Sequence, residues 1–193
     1  MSDTLFGAII ARSFTLFGVL LASLLSFFRK LGKLSIYVTW EGVPTSNNPN
    51  NAIINYELLG HCRISTSQKD TTEYKYALLL DIYNNSSYAK IMRSIVIEFM
   101  DKNNVVFSQI PNDSKNTKSY SSGQIHGKVC ALNIPPKTIL QYKYFERIND
   151  NDLSIIWQCT NVKLSYINEK GKIKSVDIAE LDHDSYFRKQ PKN

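Results

Sequence analysis

From Leu34 onward this chain places apolar side chains at alternate positions, and that period decides what it can fold into. In LSIYVTW, Leu34, Ile36, Val38 and Trp40 fall on one side, with Ser35, Tyr37 and Thr39 on the other. YKYALLLDIYN aligns Tyr74, Tyr76, Leu78, Leu80 and Ile82. SIVIEFMD aligns Ile95, Ile97 and Phe99, and NVKLSYI aligns Val162, Leu164 and Tyr166. Successive side chains of an extended chain point to opposite faces, so this is the spacing of half-buried strands. No segment after Lys33 carries a 3.6-residue stripe over three turns.

Polar clusters punctuate the runs. Asn84-Asn85-Ser86-Ser87, Asp101-Lys102-Asn103-Asn104 and Asn168-Glu169-Lys170-Gly171 each separate two strand-like segments, and Gly171 can take the positive φ of a bulged turn. Pro135-Pro136 rules out helix and halts ladder pairing before TILQYKYF. Eight or nine strands are expected, among segments near 34–40, 52–58, 61–67, 74–84, 94–101, 104–109, 125–132, 138–147, 161–168 and 172–178. Many short strands at this spacing predict an all-β antiparallel sandwich or barrel. Gly42–Asn51, Pro111–Gly123 and the tail after Leu181 are expected as loops or frayed chain.

The stretch YALLLDIYNNSSYAKIMRSIVIEFMDKNNVV, followed by LNIPPKTILQYKYF, resembles bacterial immunoglobulin-like sandwiches of the FxLYD and late-embryogenesis-abundant type. Those domains share a strand ending in an Asn-Ser turn, an aromatic-Asp-x-x-Gly hairpin and a Pro-containing turn. Asn84 to Ser87, Phe99 to Asn104 and Pro135-Pro136 occupy those places, with Asn where the hairpin usually has Gly. The resemblance spans about residues 76–147. It implies an immunoglobulin-like fold and, since such domains share no common active site, no catalytic residues.

Before this domain lies LFGAIIARSFTLFGVLLASLLSFF, the 24 residues Leu5 to Phe28, in which only Arg12 is charged. As a helix it would be about 36 Å long, against a hydrocarbon core of about 30 Å. Its fourteen Leu, Ile, Phe and Val residues supply roughly −4 to −8 kcal/mol of insertion free energy, against about +2.5 to +3.5 for a central arginine. Insertion is therefore expected. Leu5, Phe6, Ile9, Ile10, Phe14, Leu16, Phe17, Leu20, Leu21, Leu24, Leu25, Phe27 and Phe28 would face lipid. Asp3 in the leading segment and the Phe-Phe-Arg-Lys ending argue against a cleaved signal peptide. Arg29, Lys30 and Lys33 then place the C-terminal domain in the cytoplasm by the positive-inside rule. Gly7, Ala11, Thr15, Gly18, Ala22 and Ser26 share an arc of about 100°, a small-residue stripe suited to helix self-association and a homo-oligomer.

The formal net charge of +6 does not point to nucleic acid. Half of it lies in the first 33 residues, where a membrane accounts for it, and no basic run interleaved with aromatics follows. Cys62, Cys130 and Cys159 are an odd count without CxxC spacing, which fits buried free thiols in a reducing compartment. His126 and Cys130, four apart, could share a strand face but need further ligands to hold zinc. Asp150 and Asp152 lack the Gly and Glu of a calcium loop and read as a solvated turn. No phosphate-loop, dinucleotide, nucleophile-elbow or HExxH motif occurs, so neither a cofactor nor an enzyme is expected. The expected organisation is a membrane anchor over 1–33, a β-sandwich over 34–180 and a flexible tail over 181–193. Its function would be non-catalytic binding or scaffolding of a protein partner at the membrane. An exported adhesion or envelope protein and a hydrolase with scattered site residues are the rivals.

Overall fold

A computed structural model describes residues 19–25, 32–121, 123–129 and 131–182, apart from the side chains of Ser119, Asp150 and Asn151. The alternating runs become strands. The first four are β1 (Leu34–Thr45), β2 (Ile53–Tyr56), β3 (Gly60–Arg63) and β4 (Glu73–Asn84). Then come β5 (Lys90–Asp101), β6 (Asn104–Gln109), β7 (Asn112–Tyr120), β8 (Gly123–Lys128) and β9 (Leu132–Ile134). The last are β10 (Ile139–Asn149), helix α1 (Asp150–Ile156), β11 (Asn161–Asn168) and β12 (Ile173–Glu180).

They form two main antiparallel sheets, β1-β4-β10-β7-β8 and β12-β11-β5-β6, with β9 pairing β5 and a separate β2-β3 hairpin. In immunoglobulin terms β1-β4-β10-β7 follows A-B-E-D, and β12-β11-β5-β6 follows G-F-C-C′. Strand β4 is the spine of the first sheet. It pairs β1 from Leu34↔Asn84 to Thr45↔Glu73, and β10 from Ile139↔Tyr83 to Asn149↔Glu73.

The inward faces match the sequence pattern. Tyr74, Tyr76, Leu78, Leu80 and Ile82 are fully buried, as are Ile97, Phe99, Val162 and Leu164 on the opposing sheet. Trp40 stacks on Tyr76 at 5.0 Å, and Phe99 meets Trp40, Tyr74, Tyr76 and Phe107 at centroid distances of 5.7–6.5 Å. Tyr37, on the opposite side of β1, is exposed as expected. Strand β5 begins at Lys90, earlier than its period suggests, because a bulge resets the phase. Ser94 has φ 50°, and two residues of β5, Ser94 and Ile95, oppose the single Tyr166 of β11 between the Arg93↔Ile167 and Val96↔Ser165 pairs.

Several expectations are corrected. The expected loop Pro111–Gly123 contains β7, whose sequence NDSKNTKSY has no apolar alternation because only its first residues are buried. Gly42 to Thr45 extend β1 instead of opening a loop; Pro44 is tolerated because β1 is a sheet edge. The NDND turn opens α1, which buries Leu153 and Ile156 but is too short to show a helical period. Strand β8 ends at Lys128, so the strand that would have aligned His126 with Cys130 does not form, and Cys130 lies outside the described residues.

Residues 19–25 are helical, and Leu20, Leu21, Leu24 and Leu25 are all about half exposed. Among the described residues no helix is long and apolar enough to cross a membrane. The remaining expected anchor positions lie outside the described residues, as do Arg29, Lys30 and every member of the small-residue stripe except Ala22. A spanning helix therefore rests on the sequence.

Candidate functional site

Two hairpins leave a cleft against the first sheet. The β2–β3 turn supplies Leu58 and Leu59, β7 and β8 supply Thr117 and His126, and β4 and β10 supply Lys75, Lys143, Phe145 and Arg147. The space between them is roughly 660 Å³. Lys143, Phe145 and Arg147 are alternate residues, so they share the face of β10 opposite to buried Tyr144 and Ile148.

Each wall is fixed locally. The Glu41 carboxylate on β1 accepts the backbone N–H groups of Glu57, Leu58 and Leu59 at 2.8–3.0 Å, pinning the hairpin turn. Val43, Cys62 and Ile64, with Tyr56 and Leu59, make a small second core beneath that hairpin. On the other side buried Asp113 accepts from Lys115 N and Asn116 Nδ2, both at 2.9 Å, while its carbonyl accepts from the Thr117 hydroxyl at 3.1 Å. This local bonding shapes the irregular stretch of β7, where register with β8 is lost between Asp113 and Lys118.

The cleft lining carries the cations Lys75, Lys143 and Arg147 and the carboxylate of Glu146. Lys75 pairs Glu73 at 2.9 Å, Arg147 lies 4.0 Å from the same carboxylate, and Lys128 pairs Glu146. Lys143 makes no ion pair among the described residues. His126 packs edge-on to Phe145 at 5.1 Å, and its Nδ1 lies 3.5 Å from the Thr117 hydroxyl. Tyr76 donates to Gln109 at 3.3 Å; burial, with nearby Glu146, holds its phenol far above the usual range. Such a surface can take an acidic ligand with an apolar part.

Among the described residues no cluster of three or more His, Cys, Asp and Glu side chains is placed to hold a metal ion. His61 and Cys62 sit on β3 and His126 on β8, in different sheets. Cys62 and Cys159 are buried. Burial raises both thiols, Cys159 to about 11 with Asp101 adding to the effect, so at neutral pH they are protonated and poor nucleophiles.

Of the cleft residues the sequence points only to His126, and there as a metal ligand and not as part of a binding surface. Lys75, Lys143 and Arg147 are readable as outward positions of expected strands, but only the register brings Lys75 opposite Arg147. Thr117 had no signal at all, since its segment was expected as a loop.

The strand order is that of an immunoglobulin-like sandwich, and residues 48–179 match the model of the YopI Ig-like domain. The chain belongs to the YopI Ig-like domain family. This confirms the expected immunoglobulin-like class, and the family shown is YopI. The SPbeta prophage-derived uncharacterized protein YopI of Bacillus subtilis strain 168 is 23% identical over 119 residues, covering 61% of this chain and 67% of that one. A crystal structure of a Bordetella pertussis protein given the provisional name ApaA covers 79% of this chain and 93% of its own, at 16% identity and TM-score 0.37. A DUF4466 family protein from Parabacteroides merdae covers 75% of this chain and 44% of its own, at 11% identity and TM-score 0.23. The fold of this YopI-family domain accordingly rests on its strand order and the family match.

Proposed function

We propose that this YopI-family chain is a membrane-anchored, non-catalytic binding module that takes an acidic segment of a protein partner in the cleft between its two hairpins. The observation that carries the reading is the row Lys143, Phe145 and Arg147 on one strand face, beside Lys75 and His126, which pairs cationic groups with an aromatic ring. Cations together with an aromatic at a concave surface suit a carboxylate-rich segment bearing an apolar side chain. The buried, protonated thiols of Cys62 and Cys159 support a non-catalytic role. The apolar run Leu5 to Phe28 and its flank Arg29, Lys30 and Lys33 support a single-pass anchor with the domain in the cytoplasm. The small-residue stripe containing Ala22 supports self-association of that helix. Kinship with FxLYD and late-embryogenesis-abundant sandwiches belongs to the same proposal, on the strength of the Asn84–Ser87 and Pro135-Pro136 turns.

The test is binding of a fluorescent peptide rich in Asp and Glu with one central Phe. Lys143→Glu/Arg147→Glu should weaken it at least roughly tenfold, about 1.4 kcal/mol, and raised salt should weaken binding to the unaltered protein. Equal affinity for both proteins would sink the cleft assignment. Retention in membranes after alkaline carbonate, with a C-terminal reporter active only in the cytoplasm, is the expected result for the anchor.

A further inference from the structure

The chain emerges into the sandwich at a fixed point. A Cβ on Gly32 would lie 2.4 Å from both the Asn85 carbonyl oxygen and Ser86 Cα, so only glycine lets the backbones come this close. The next residue is tied down as well, with Asn85 N donating to the Lys33 carbonyl at 3.1 Å. Three residues separate Phe28, the end of the apolar run, from Gly32. Fully extended, that connection reaches about 14 Å.

This pole of the sandwich is rich in lysine. Lys33, Lys90, Lys170, Lys172 and Lys174 line one surface depression, with Glu169 the only acidic residue among them. Glu169 is already matched, 2.9 Å from Lys90. Lys33, Lys170, Lys172 and Lys174 are exposed and make no ion pair among the described residues. The stretch from Leu34 to Asn193 has a net charge of only +3, so this accumulation is local. Ile173, the first residue of β12, follows Lys172 of the turn and precedes Lys174. At 75% it is the most exposed large hydrophobic among the described residues.

We propose that this pole is a contact surface for anionic lipid headgroups, with the lysines of the β11–β12 turn on the membrane and Ile173 dipping into its interface. The proposal rests on the anchored reading above. An apolar tip flanked by lysines gains both from burial at the acyl boundary and from the negative surface potential, whereas an acidic protein or a nucleic acid would use the lysines and leave Ile173 in water. The short connection keeps this pole near the bilayer whatever else the domain does. The contact fixes the tilt of the sandwich on its anchor.

The full chain, reconstituted with its domain outward in vesicles of phosphatidylcholine alone or with phosphatidylglycerol, is treated with trypsin. Cleavage after Lys170 and Lys172 is compared by mass spectrometry with cleavage after Lys102. That residue lies in the β5–β6 turn at the opposite pole. Anionic lipid should slow the former relative to the latter by about tenfold, which two lysines near the surface can supply. Raised salt should abolish the effect. Lys33→Glu/Lys174→Glu and, separately, Ile173→Ser should each lose most of the protection while leaving both cleavage sites intact. Protein retained by the vesicles after alkaline carbonate but cut equally in both lipids overturns the headgroup contact alone. Protein released by carbonate overturns the anchor and the contact with it. Protection in neutral vesicles produced by inorganic phosphate, matching that from anionic lipid, also overturns the lipid assignment.

Discussion

Asn84 should be the most costly polar side chain to remove from this domain. It sits fully buried at the end of β4. Its Nδ2 lies 2.9 Å from the carbonyls of Tyr88 and Ile134 and 3.0 Å from that of Pro135. Its Oδ1 accepts from Ser86 N at 2.9 Å and from Ser86 Oγ at 2.6 Å. One amide thus joins the end of β4, the following loop, β9 and the turn before β10. Two amide hydrogens and two accepted bonds make about four hydrogen bonds, each contributing roughly 1 kcal/mol net, and the buried groups left without a partner add to the loss. Asn84→Ala should cost about 4–5 kcal/mol. At about 2–4 °C per kcal/mol for a chain of this size, the melting temperature falls by about 10–15 °C. Thermal unfolding of the full chain in detergent, followed by near-ultraviolet circular dichroism, reads this. Asn84→Asp should be worse at neutral pH, because a carboxylate would face three carbonyl oxygens without a donor. Acid should partly restore it, since a protonated Asp regains one donor and its raised folded pKa favours folding as pH falls. A loss below about 1 kcal/mol for Asn84→Ala would refute the clasp.

Gly42→Ala should destabilise by about 1–3 kcal/mol in urea, as over-packed cores do, because its Cβ would lie 2.3 Å from the Tyr74 hydroxyl oxygen and 2.9 Å from Trp40 Nε1. Adding Tyr74→Phe should recover part of that loss, and an additive double mutant would exclude the clash. For the Lys90–Glu169 pair, burial is the largest single influence and opposes both charges, but the surrounding contacts together outweigh it: Tyr88 and Glu169 raise Lys90, and Lys90, a backbone hydrogen bond and Lys170 lower Glu169. The Glu169 contribution is therefore complete above the ordinary carboxylate range and disappears as pH falls through its lowered folded value; that of Lys90 disappears as pH rises through its raised one. Glu169→Gln should lose about 1–2 kcal/mol at neutral pH and converge with the unaltered protein in acid; a constant gap across the acid limb would contradict the pairing.

Legibility followed the strength of the alternating signal. The inward faces of β4, β5 and β11 were readable because burial on one side forces apolar residues to every second place. Strand β7 was hidden because it is a polar strand joined to β10 only through Asn112 and Asp113, so no face had to be apolar. Helix α1 was hidden because seven residues contain only two turns. The turn Asn84 to Ser87 was visible as polar residues, and the period of β4 puts Asn84 on its inward face, yet nothing in sequence says which carbonyls its amide meets. The cleft was invisible for a related reason. Its lining comes from segments far apart in the chain, and only register and the two hairpins assemble it.

The two proposed surfaces have a fixed relation along one strand. Asn84, whose loop holds Gly32, ends β4 at the lysine-rich pole, and Lys75 in the cleft lies nine residues back along the same strand. At about 3.4 Å per residue that separation is about 30 Å, several Debye lengths. Charges at one surface are therefore screened from a ligand at the other. A headgroup contact at the Asn84 end would hold β4 at a set angle to the bilayer and present the cleft on the far part of the domain. The close Gly32–Ser86 approach, which excludes a side chain at residue 32, fixes where the chain enters the sandwich, so on the proposed anchored reading the cleft would meet its partner on the side of the domain away from the bilayer.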